Sequence, residues 1–272
     1  MKNFLKNILY SKANYKFFIK NYTAISDLKN ISYSSKSIRH FQFITPIEWK
    51  KSIKDNVIIF SPHADDEIIG MGGSIIKSFK DKSKIHCIYF SSSGIRSKEC
   101  QLISKKLNFK NTELKFKENN FCITKNNLNK IAEIINKHKT KKIFIPFLFD
   151  DHDDHRRVNE ILMELIKKKL IKNNFEIWAY QIYSFFPSNI YIDITNNIKE
   201  KIFYLKKYKS QLKKKNFDHL TMAMNAFNSR FVNTNKKKYL ENFFVVPSKD
   251  YFSLCKKYFK NPKECYYNKN YI

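Results

Sequence analysis

The 272-residue chain predicts an α/β fold, a mostly parallel sheet flanked by helices, on three observations. Short apolar runs of strand length alternate with amphipathic stretches of ten or more residues, the pattern of βαβ units. Two of those runs end abruptly in dense groups of His and Asp, at the place where open α/β sheets bind their ligands. Hydrophobic content of 43% and aromatic content of 16% suffice for one sizeable core.

The elements follow in order. Residues 1–55 are polar and basic and predict an amino-terminal extension, packed on the domain through Phe41, Phe43, Ile44 and Trp49. Within it, Phe4, Leu5, Ile8 and Leu9 are interrupted by Lys6, and Lys12 and Lys16 follow, which suits an amphipathic surface helix better than a cleaved signal. The main domain is expected over 56–246. It opens with a buried strand at 57–60, broken by Pro62, and a helix beginning near Glu67. Three of the four glycines, Gly70, Gly72 and Gly73, fall inside that helix, where glycine is costly unless the backbone must approach a sheet or ligand closely. A strand at 84–91, a helix at 97–107, a short strand at 113–116, a helix at 127–138 and a buried strand at 142–146 come next. Strands at 176–184 and 190–194, a long helix at 197–215 and a last strand at 243–246 complete the domain, and 247–272 form a tail. No internal repeat and no Gly/Ser linker divides the chain, so one domain with extensions is expected.

Bulk chemistry narrows the function classes. The formal charge of +28 favours polyanions, anionic lipid or phosphorylated substrates. Lysine is spread along the whole length, though, as A/T-rich coding produces, and the basic runs at 167–169, 206–215 and 236–238 come with no RNP, zinc-finger or P-loop signature. Specific nucleic-acid binding is therefore not expected. The five cysteines are odd in number, widely spaced and without CxxC pairs, which predicts reduced thiols in a cytoplasmic protein, with peripheral membrane contact left open. No apolar run reaches membrane-spanning length.

The first cluster is His63, Asp65, Asp66 and Glu67, and the second runs Asp150-Asp151-His152-Asp153-Asp154-His155-Arg156-Arg157. Each follows a strand of the expected parallel sheet, so both project from one carboxyl edge. His63 and Asp66, three apart, can turn toward one point, and His155 can complete the set. Two imidazoles and one carboxylate with an open position describe a catalytic zinc site, which iron(II) can also occupy. Asp65 is then the candidate general base, His152 a donor to the oxyanion or departing amine, and Asp154 the partner holding the His152 ring. Helix-dipole acids in the first cluster and a solvated mixed-charge loop in the second are the plainer alternatives.

Pro62-His63-Ala64-Asp65-Asp66-Glu67 and His152-Asp153-Asp154-His155 resemble the paired motifs of LmbE/PIG-L-type zinc N-deacetylases. The resemblance implies a Rossmann-like fold, zinc at His63, Asp66 and His155, Asp65 as base and His152 at the oxyanion or leaving amine. It also implies an N-acetylated amino sugar as substrate, on a nucleotide, lipid or other phosphate-containing carrier. Arg96 and Glu99 resemble the family's Arg-x-x-Glu, which puts Arg96 near substrate. Ile192-Asp193-Ile194, Lys201, Ser210-Gln211 and the segment Tyr239-Leu240-Glu241-Asn242-Phe243 are similar to later family features. Ala64 departs from the common proline and Gln181 from a common acid. A metal phosphohydrolase and a basic binding protein for anionic surfaces are the competing classes.

Overall fold

A computed structural model describes residues 45–259. The expected helix at 1–20 and the packing of Phe41, Phe43 and Ile44 lie outside those residues. Eight strands form one sheet: β1 (Ile47–Glu48), β2 (Val57–His63), β3 (Ile85–Ser91), β4 (Lys110–Glu113), β5 (Lys142–Pro146), β6 (Glu176–Tyr180), β7 (Ile190–Asp193) and β8 (Leu240–Pro247). Their spatial order is β1-β7-β8-β6-β5-β2-β3-β4. Every pairing is parallel except those of β8 with β6 and with β7.

Helices α1 (Asp66–Ser78), α2 (Gly94–Leu107), α3 (Lys125–Lys137), α4 (Asp153–Lys167), α5 (Ile198–Leu205), α6 (Lys209–Leu212), α7 (Phe217–Asn228) and α8 (Ser248–Tyr258) flank the sheet. The period-2 alternation of strands sorts the core into two layers. Ile58, Phe60, Ile143 and Ile145 face α3, α4 and α8, whereas Val57, Ile59, Cys87 and Phe144 face α1, α2 and α5. Both faces being covered explains why β2 and β5 are apolar without a break. No helix among the described residues is long and apolar enough to cross a membrane. The described cysteines, Cys87, Cys100, Cys122 and Cys255, are all free.

Several expected boundaries move. The sheet begins ahead of residue 56: β1 pairs with β7, and Trp49 packs edge-on against Trp178 at 5.1 Å. Strand β4 lies at 110–113, not 113–116, although Leu114 and Phe116 still donate to Tyr89 and Phe90 of β3. Strand β6 stops at Tyr180 instead of 184, because Tyr183 N–H is drawn to the Asp150 carboxylate at 3.0 Å. The helix expected at 197–215 breaks after Leu205, so that Tyr208 turns inward and its hydroxyl donates to Glu67 at 2.6 Å. The tail contributes α8, which buries Tyr251, Leu254, Cys255 and Tyr258 in the core.

Candidate active site

Strands β2 and β5 are parallel neighbours, so the turns that leave them meet at one sheet edge. His63 is the last residue of β2 and Asp66 the first of α1. The loop after β5 carries Asp150 and His152, and the first turn of α4 carries Asp154 and His155. Residues some ninety positions apart thus share one buried point.

The atoms at that point form a nearly equilateral triangle. Asp66 Oδ2 lies 3.3 Å from His63 Nδ1 and 3.3 Å from His155 Nε2, and the two nitrogens are 3.3 Å apart. Metal–ligand bonds of about 2.0–2.1 Å at tetrahedral angles require ligand atoms about 3.3 Å apart. The donor set therefore fits a small tetrahedral cation such as zinc. His152 stands further out, and the three histidines offer nitrogens within 4.8 Å of one another. His152 differs from the other two because its Nδ1 accepts the Asp154 amide N–H at 3.1 Å as the cap of α4, which leaves the neutral ring's proton on Nε2 and neither nitrogen free to ligate.

Both triangle histidines are backed by carboxylates. His63 Nε2 meets Asp154 Oδ2 at 2.8 Å, and His155 Nδ1 meets Asp150 Oδ1 at 2.8 Å. With a cation bound between them, each pairing would keep the proton on the outer nitrogen and leave the inner one to ligate. Asp150 is fixed in turn by the His152 and Tyr183 amides, at 3.1 and 3.0 Å, and Asp66 Oδ2 accepts the His63 amide at 2.8 Å. Asp154, expected behind the His152 ring, meets that ring through its backbone N–H and meets the His63 ring through its carboxylate. Asp150, assigned no role from the sequence, emerges as its counterpart.

Electrostatics agree with a site for positive charge. Burial pulls the His155 pKa down, yet the carboxylates of Asp66 and Asp150 override it and push it up to about 10. His63 is likewise raised: burial opposes, while Asp154 and Asp66 prevail. Burial acts to raise Asp66, but the two imidazoles hold it well below the usual carboxylate range. Groups that compete this strongly for a proton compete for any cation.

Asp65 points elsewhere. Its backbone sits at φ 141°, a strained region for a side chain with a Cβ. It is held there from three sides. Its N–H donates to Glu67 Oε2 at 3.1 Å, its carbonyl accepts from Ile68 and Ile69, and its Oδ1 pairs with Arg96 Nη2 at 2.7 Å. Burial raises its pKa to about 7, with Arg96 opposing and the Asp66 and Glu67 charges reinforcing. Arg96 also donates to Ala64 O and to Glu118, at 2.9 and 2.8 Å. The structure therefore places Arg96 on the candidate base, with its guanidinium engaged. Glu99 of the same motif instead accepts the Ser210 amide at 2.9 Å, tying α2 to α6.

His152 lines a cleft of about 600 Å³ whose other walls include Asp151, Gln181, Tyr183, Phe217 and Met224. Burial and the His155 and His63 charges lower its pKa to about 4. With Nδ1 accepting, the neutral ring carries its proton on Nε2.

Behind the site, α1 is broken at Met71, which has φ −146°. Lys201 Nζ takes the Ile69 carbonyl on one side of the break at 2.8 Å, while Glu241 accepts the Gly73 and Ser74 amides on the other at 2.8 and 2.6 Å. Lys201 and Glu241 are paired with each other at 2.6 Å, fully buried. The glycines serve the close approach expected of them: a Cβ on Gly70 would lie 2.2 Å from the Tyr180 ring, and one on Gly73 2.7 Å from Ile194.

Comparison with known proteins fits this arrangement. Residues 58–166, a stretch that spans both clusters, match the family model PIG-L, described as GlcNAc-PI de-N-acetylase. Among similar solved structures is the conserved protein TT1542 from Thermus thermophilus, with 18% identity, TM-score 0.59, 71% of this chain and 96% of that one covered. N,N'-diacetylchitobiose deacetylase from Pyrococcus horikoshii has 17% identity and TM-score 0.59, over 81% of this chain and 93% of that one. GalB, the 4-carboxy-2-hydroxymuconate hydratase of Pseudomonas putida KT2440, has 14% identity and TM-score 0.54, over 72% and 96%. Likeness at this level shows the fold. A hydratase and a deacetylase share it, so the reaction has to be argued from the site.

Proposed function

We propose that this chain is a metal-dependent N-deacetylase, hydrolysing the acetamido group of an N-acetylated amino sugar. The observation that supports it most is the 3.3 Å triangle of His63 Nδ1, Asp66 Oδ2 and His155 Nε2, backed by Asp154 and Asp150. Those three residues would hold the ion, zinc or iron(II). Bound there, such a cation acidifies water and polarises a carbonyl oxygen.

The chain's own groups supply the rest. Asp65, kept in place by Arg96 and Glu67, accepts a proton from the attacking water as its oxygen bonds to the acetyl carbon. His152 Nε2–H donates to the developing oxyanion, where a neutral imidazole suffices. The C–N bond then breaks, acetate is released, and the proton held at Asp65 returns to the departing amine. Tyr183 and Phe217 offer apolar faces to a sugar ring, Asp151 and Gln181 offer hydrogen-bonding groups, and Lys215, 5.6 Å from the Tyr183 ring centre, offers a cation to a carrier phosphate.

The test is acetate release from a panel of N-acetylated sugars, free, nucleotide-linked and lipid-linked. Asp65→Ala should retain metal and lose activity, and an undiminished rate would remove Asp65 as the base. A two-metal phosphohydrolase is less favoured, because Asp150 and Asp154 are both committed to histidine ring nitrogens. A metal-to-protein ratio near two would reverse that preference.

A further inference from the structure

Helix α7 is turned inside out. Its buried residues, Thr221, Asn225 and Asn228, recur at i, i+4 and i+7 and so share one face. That inward face is polar and hydrogen-bonded. Asn225 Nδ2 donates to Leu240 O at 2.9 Å, its Oδ1 accepts from Lys201 Nζ at 2.8 Å, and Asn228 Nδ2 donates to Gln181 Oε1 at 2.9 Å. The outward face is mostly apolar: Leu220 is 41% exposed, Met222 38% and Phe227 50%, with Ala223, Ala226 and His219 exposed between them, while Phe217 and Met224 pack against the core. Beside it Phe185, 63% exposed, has its ring centre 4.9 Å from that of Phe227. A helix facing water carries the opposite arrangement. A contiguous apolar patch of this kind marks an interaction surface.

Charge says what covers it. Lys and Arg supply 52 of the 272 residues, yet none of the 12 residues of α7 is either one. The basic residues gather instead at the two ends, with Lys213, Lys214 and Lys215 exposed before the helix and Arg230, Lys236 and Lys237 exposed after it. The Arg230 guanidinium lies 4.3 Å from the Phe227 ring centre. Aromatic and aliphatic groups bracketed by cations match a bilayer with anionic headgroups, the rings entering the acyl boundary and the cations remaining among the phosphates.

We propose that the outer face of α7, with Phe185, is a docking surface for an anionic lipid membrane. Leu220 and Phe185 also line the cleft over His152, so docking brings the cleft mouth to the headgroup layer. The surface stands apart from the chemistry assigned above and is testable without it.

The experiment is co-sedimentation of the full chain with vesicles of phosphatidylcholine alone and of phosphatidylcholine mixed with phosphatidylglycerol. Binding to the mixed vesicles is expected. Phe185→Ser with Phe227→Ser should lower the partition at least about tenfold, with circular dichroism and melting unchanged because both rings are exposed. Removing two exposed lysines of α2, K105Q with K106Q, should lower it no more than about twofold. Asp65→Asn should bind as the wild type does, which separates docking from catalysis. Equal binding by the double phenylalanine variant would overturn the proposal, as would failure of the wild type to bind mixed vesicles. A dimer that Phe227→Ser splits into monomers would also overturn it, since the face would then belong to a second copy of the chain.

Discussion

At the scale of single residues, the candidate base is positioned by groups that take no part in the proton transfer. Asp65 occupies a strained backbone conformation, and Glu67 clamps its amide while accepting the Tyr208 hydroxyl at 2.6 Å. Replacing Asp65 by Asn is expected to lower kcat by about 10²–10⁴-fold with metal content unchanged. Glu67→Gln should lower kcat roughly tenfold with little change in KM, because the geometry of Asp65 relaxes while the cleft stays intact; steady-state kinetics on an accepted substrate separates the two parameters. That His63, Asp65, Asp66 and His155 belong to crowded groups was legible in the sequence, because histidine and carboxylate follow buried strands directly. The inward turn of Asp150 was not. In a run of eight ionisable groups, nothing in the spacing says which carboxylate turns inward, although it is the first polar residue after the strand and its apolar loop. Tyr208 was invisible for another reason: its partner lies 141 residues away.

The elements divide into those with two covered faces and those whose context is unusual. Strands β2 and β5 announce themselves through the apolar runs 57–60 and 143–145, and β3 through 87–90, since each run is buried on both sides. Helix α7 was missed because its fully buried residues are Thr221, Asn225 and Asn228, a polar set that resembles a loop. The break in α1 could be read only as a cluster of glycines. Its repair by Lys201 and Glu241, far along the chain, gives two stability predictions. Gly70→Ala should cost about 1–3 kcal/mol as the buried Tyr180 ring is displaced. Lys201→Met should cost about 3 kcal/mol or more, since Glu241 keeps a buried charge without its partner; urea unfolding measures both. Strand β3 adds a pH effect. Burial, with His138 and Lys110 nearby, lowers the His86 pKa to about 4. The unfolded chain binds that proton near pH 6.5, so the folded state loses ground as pH falls from there toward 4. The melting temperature should drop over that window, and less steeply in His86→Gln.

The whole molecule joins two distant segments at one buried point on the carboxyl edge of a mostly parallel sheet. The topology explains why a chain with a net charge of +28 can still gather its carboxylates at one buried point. Because the site exists only in the folded chain, added zinc should raise the melting temperature and a chelator should lower it. The sheet and its carboxyl-edge site could be anticipated from strand–helix alternation. The position of β8 could not, because an antiparallel strand inserted between β6 and β7 breaks the sequential order. The most direct measurement is metal content by mass spectrometry on the wild type, His63→Ala, His155→Ala and Asp65→Asn. A shared site predicts about one zinc or iron per chain in the wild type and in Asp65→Asn, and almost none in either histidine variant. A wild type that takes up no metal when supplied, or histidine variants that bind it undiminished, would contradict the site.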